Sequence, residues 1–243
     1  MNRREFLQVT GISLTSASLA TTEAKAAQAH RPLIFRFGLN GLDRATKFQP
    51  GELAVVLGPA ASGKTLLLCG SAKHCVRDHG TLVFYNDEDA QGVTAERLRL
   101  NAAEADRLIV GTSWLQWADG KTLQQARNGL VIIDGGGWVD PCPANRRQTL
   151  LNLKRLAVER ECGVIFAITT NRQPIGEVTH VKDETRDHLR LIDLLISCYK
   201  DGVPGGPPTV LFQVLKNQHG PQGGNVFWSH RVNANLALDP ESC

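Results

Sequence analysis

The chain has 243 residues, of which 42% are hydrophobic and 21% charged, with a formal net charge of +3. This is an ordinary globular composition with length for one sizeable α/β domain rather than two, and the mild positive balance permits nucleic-acid binding without arguing for it. The six cysteines (Cys69, Cys75, Cys142, Cys162, Cys198, Cys243) form no C-x-x-C pair and no zinc spacing, so buried free thiols are expected rather than a metal knot.

Residues 1–29 read as a leader apart from the fold. Arg3-Arg4 precedes Phe6-Leu7, a weakly apolar stretch runs from Val9 to about Ala20, and small-residue patterns follow at Ala24-Lys25-Ala26 and Ala27-Gln28-Ala29. The pattern resembles a twin-arginine export signal. The stretch is too short and too rich in Ser and Thr to span a membrane. Two readings stay open: export to the periplasm, or a cytoplasmic leader, which suits an ATP-dependent protein better. The folded domain is expected over residues 30–243, with no insertion into a membrane.

The strongest motif lies at Gly58-Pro59-Ala60-Ala61-Ser62-Gly63-Lys64-Thr65, which reads G-x-x-x-x-G-K-[ST], the phosphate-binding P-loop. Gly58 and Gly63 let the backbone turn its N–H groups toward phosphate oxygens. The helix that starts near Gly63 adds the positive end of its dipole. Lys64 can reach the β- and γ-phosphates of ATP, and the Thr65 hydroxyl can coordinate Mg²⁺. The context is right: Leu53–Leu57 is an apolar run fit for a buried parallel strand, and Thr65–Cys75 reads as a helix.

Thr81–Asn86 is the next expected strand, followed by Asp87-Glu88-Asp89 and a helix near Ala95–Leu100. A carboxylate at the carboxyl end of a strand beside the P-loop strand can orient the attacking water. Glu88 is the candidate; the competing reading is a solvated acidic loop, which suits Asp87 and Asp89. Arg107–Gly111 is a short strand candidate, and Thr122–Arg127 a helical one. Trp114 and Trp117 read as packing residues. Leu130-Val131-Ile132-Ile133-Asp134 is four apolar residues ending in Asp, the Walker B pattern, with Asp134 placed to hold Mg²⁺ through water or with Thr65.

Asn145–Arg160 reads as a helix with Leu150, Leu153, Leu156 and Ala157 on one face, and Gly163–Ile168 as a buried strand ending at Thr169-Thr170. A polar stretch, Gln173–Asp187, follows. Leu189–Tyr199 leads into another buried strand, a Pro/Gly connection follows at Val203–Pro208, and Val210–Leu215 is a strand before Lys216-Asn217-Gln218-His219-Gly220-Pro221-Gln222-Gly223. Val226-Phe227-Trp228 opens a final strand.

These motifs, in this order, resemble RecA-like ATPases over about residues 35–240. The entry segment FGLNGLDRATKFQPGELAVVLGPAASGKT and the GPQG turn are similar to the C-terminal ATPase domain of DnaB-type replicative helicases, with the KaiC/RadA group as relatives. The resemblance implies an α/β fold with a mostly parallel central sheet flanked by helices and a C-terminal β-hairpin. It implies an ATPase that uses ATP and Mg²⁺ and assembles as a homo-oligomeric ring on single-stranded DNA. Glu88 aligns with the family's catalytic glutamate, Thr169 or Thr170 with its γ-phosphate sensor, and Arg172, Lys182 and Arg186 with its DNA-facing loop. Lys216 aligns with a lysine that reaches a neighbouring subunit's nucleotide. Gln218 stands where the family has an arginine finger, and this departure keeps a second function open: a KaiC/RadA-like regulatory or assembly ATPase without strand separation.

Overall fold

The computed structural model describes residues 34–78, 80–86, 91–111, 126, 129–134, 143–170, 186–201, 209–220 and 226–231. The leader, Glu88, Trp114, Trp117, Arg172 and Lys182 lie outside the described residues. Ile34–Cys243 is one compact unit.

The described strands are β1 (Leu53–Gly58), β2 (Leu82–Asn86), β3 (Leu108–Gly111), β4 (Leu130–Asp134), β5 (Gly163–Thr169), β6 (Leu194–Asp201), β7 (Thr209–Asn217) and β8 (Val226–Arg231). They form one sheet in the order β3-β2-β4-β5-β1-β6-β7-β8. The first six are parallel, while β7 pairs antiparallel with β6 and β8 with β7, giving the expected C-terminal hairpin. The helices are α1 (Asn40–Ala45), α2 (Lys64–Arg77), α3 (Gln91–Leu98), α4 (Ala102–Ala105) and α5 (Pro143–Arg160), with a 3₁₀ helix at Arg186–Leu191.

Sequence dictates this layering. All of β1 and β4 is buried, which is why both read as continuous apolar runs rather than alternating ones. One sheet face, carrying Leu53, Val55, Leu57, Val131, Val164 and Phe166, packs against Leu150, Leu153, Leu156 and Ala157 of α5. In α2, Leu67, Leu68, Ala72, Cys75 and Val76 are buried. Each large aliphatic side chain so buried contributes about 1.5–3 kcal/mol by leaving water.

Several element limits differ from the sequence expectations for local reasons. Helix α3 starts at Gln91 and stops at Leu98, because Arg99 turns left-handed at φ 51 and its N–H bonds the Glu96 carbonyl. Helix α5 starts at Pro143, a residue whose ring favours the first helical position. Strand β7 runs two residues past Leu215, because Lys216 and Asn217 pair with Leu195 and Leu194 across a register shift.

Candidate active site

Strand β1 lies between β5 and β6, so the loop that follows it opens at the carboxyl ends of the parallel strands, where open α/β sheets bind ligands. Gly63 is the N-cap of α2, with φ 93. That left-handed conformation is open to glycine and strained for other residues. A Cβ at Gly63 would also come within 2.7 Å of Val210 Cγ1. At Gly58 a Cβ would collide with the Cys198 carbonyl and the Ser62 hydroxyl. Both glycines of the motif are therefore required by close packing of the loop on β6 and β7, besides any phosphate they admit.

The loop is fastened from two sides. The Gly58 carbonyl accepts from the Thr170 N–H at 3.0 Å and from Lys64 Nζ at 2.9 Å. Lys64 Nζ also donates to the Pro59 carbonyl at 2.7 Å. Lys64 is 8% exposed. Burial pulls its pKa below the ordinary lysine range, and the nearby Asp134 carboxylate acts in the opposite sense. Lys64 and Asp134, distant in the sequence, thus meet at one end of the sheet. Asp134 is 7% exposed and sits beside Asn86 at the end of β2; Glu88, just beyond Asn86, lies outside the described residues.

Ser62 carries a buried hydroxyl with no hydrogen-bond partner among the described residues. A polar atom left so in a loop of this kind fits a site built for polar oxygens. Thr65 and Asp134 supply a hydroxyl and a carboxylate, the hard oxygen donors that Mg²⁺ takes. Of the two sensor candidates, Thr170 is buried and locks Gly58 through its backbone, whereas Thr169 is exposed.

Lys216 is not part of this constellation. It pairs with Leu195, near the amino end of β6, three residues along the strand and two strands over from Gly58, a separation on the order of 14 Å. Its ammonium donates to the Leu189 carbonyl at 2.6 Å and to the Ile192 carbonyl. Burial lowers its pKa, with Asp193 opposing and Lys154 reinforcing.

A second polar cluster at that edge escaped the sequence reading. Asp193 is buried; its carboxylate accepts from the Leu53 N–H at 2.7 Å and from Lys154 Nζ at 2.6 Å. Lys154 also donates to the Gly51 carbonyl at 2.8 Å. Glu52 accepts from the Gln49 N–H at 2.7 Å and meets His219 Nε2. Burial raises the Glu52 pKa against the pull of these two partners. The one signal in the sequence was a lone acid inside the apolar run Leu191–Ile196.

Among the described residues no three His, Cys, Asp or Glu side chains group as a metal site, and no helix is long and apolar enough to cross a membrane.

No protein-family model matches the sequence, and no curated protein sequence matches it. Solved structures do match in fold. A phage-type label aside, the first is described simply as an ATPase domain; it superposes with a TM-score of 0.67 at 15% identity, over 92% of this chain and 97% of that one. A DnaB-like replicative helicase, solved in a study of its interactions with primase, gives 0.62 at 13% identity, over 92% of this chain and 65% of that one. The RadB recombinase gives 0.59 at 18% identity, over 84% and 98%. The chain has the RecA-like α/β fold that these ATPase, helicase and recombinase structures share.

Proposed function

We propose that this chain binds and hydrolyses ATP as a RecA-like domain of DnaB helicase type, acting on DNA as a homo-oligomer. The observation that supports it most is the meeting of Lys64 and Asp134 at the P-loop. The backbone from Gly58 to Thr65 would cradle the phosphates, with Lys64 leaving the Gly58 and Pro59 carbonyls for phosphate oxygens. Thr65 and Asp134 would hold Mg²⁺, which bridges phosphate oxygens and neutralises their charge. Glu88 would orient the attacking water. The Lys216–Gly220 turn stands at the opposite edge of the sheet, so in this reading it serves a nucleotide on another copy. Arg172, Lys182 and Arg186 are the proposed contacts to the backbone of single-stranded DNA.

A second reading is a KaiC/RadA-like regulatory or assembly ATPase. Gln218 favours it, since an uncharged amide in place of an arginine gives weaker stabilisation of transition-state charge. DNA-stimulated turnover separates the two: stimulation supports the motor, and a slow rate indifferent to DNA supports the regulatory module. Either activity needs cytoplasmic ATP; fractionation of the tagged full chain tests whether the twin-arginine-like leader instead sends it to the periplasm.

A further inference from the structure

The residues from Lys216 to His219 do not share one orientation. Lys216 donates to the Leu189 and Ile192 carbonyls of its own subunit. Asn217 is buried, and its Nδ2 donates to the Ala45 carbonyl at 2.6 Å. His219 turns back to Glu52. Gln218 is fastened by its backbone, its N–H donating to the Asp193 carbonyl at 3.0 Å, and its side chain is exposed. Gly220 allows the close approach, since a Cβ there would run into Asn217 and the Ala45 carbonyl.

We infer that Lys216 is a positioning residue which clamps this turn to its own subunit, and that the turn presents Gln218 alone to the nucleotide of a neighbouring copy. The inference rests on the oligomeric reading above and changes its division of labour. A lysine with two carbonyls on a desolvated ammonium is committed to its own chain. An exposed glutamine amide has an N–H₂ to donate to a phosphate oxygen and a carbonyl to orient a water, with no net charge to bring.

The test compares single and double variants of the full chain, reading ATP turnover per chain against protein concentration, the melting temperature, and hydrogen exchange over residues 216–220. Gln218→Ala is expected to cut the concentration-dependent part of turnover by about tenfold, with the melting temperature and the exchange unchanged. Lys216→Met is expected to lose the same activity together with the protection of the Gln218 amide, and Lys216→Arg to keep both. Gln218→Arg should raise turnover in the original background and fail to do so beside Lys216→Met. The inference is overturned if Lys216→Met lowers turnover with protection intact, since the lysine itself would then be reaching the neighbour. It is equally overturned if Lys216→Met changes neither. Should turnover require Lys64 yet show no dependence on concentration, the oligomeric reading fails by itself; loss of Gln218 protection in Lys216→Met would still support the clamp, and retained protection would refute it.

Discussion

At the scale of single residues, two glycines and one lysine decide whether the P-loop can exist. A methyl group at Gly58 meets a backbone carbonyl, which cannot swing aside as a side-chain end can. Gly58→Ala is therefore expected to destabilise the fold by about 1–3 kcal/mol and to weaken nucleotide binding, as read by thermal melting and by titration with a fluorescent ATP analogue. Lys64→Ala should abolish turnover with little change in melting temperature, because its partners at the loop are carbonyls that water can satisfy; full turnover in that variant would contradict the site. Lys64 and Asp134 were legible in the sequence because their motifs specify residue type and spacing. Asp193 was not, because its meaning lies in a hydrogen bond to Leu53, 140 positions away. Glu52 and His219 were hidden for the same reason, being 167 positions apart.

At the scale of elements, burial accounts for both what was foreseen and what was missed. The apolar runs of β1, β4 and β5 announced strands covered on both faces. The far end of β7 did not announce itself, since Lys216 and Asn217 look like turn residues until the carbonyls that receive them are known. Asp193 joins the start of β1 to α5 through Lys154. Asp193→Ala leaves that lysine without its carboxylate and is expected to cost about 3–5 kcal/mol in urea unfolding. Cys75 and Cys162 give a pH prediction. Burial pushes both thiols from 9.0 up to about 12. The folded state keeps those protons where the unfolded state releases them, so the stabilisation is complete below about pH 9 and is lost as the pH rises toward about 12. Melting temperatures should fall over that window, and less steeply in a Cys75→Ala/Cys162→Ala variant; equal slopes would count against the assignment.

At the scale of the whole molecule, the sheet separates two functions by its own polarity. Carboxyl ends of the parallel strands carry the P-loop, Asp134 and Thr170, while the amino ends carry Lys216, Asp193 and Glu52. A nucleotide at one edge and a presenting turn at the other make a molecule whose site is completed by a second copy. The topology was legible from the order of motifs, and the shared fold with ATPase, helicase and recombinase structures bears it out. The division between the two edges was not legible, because it depends on strand register. The most direct test of an ATPase completed between copies is the steady-state hydrolysis rate of the full chain over a range of protein concentrations, with and without single-stranded DNA and with Lys64→Ala alongside. The account predicts a rate per chain that rises with concentration, rises further with DNA and disappears in Lys64→Ala. A rate per chain that is flat in concentration, or that survives the loss of Lys64, would contradict it.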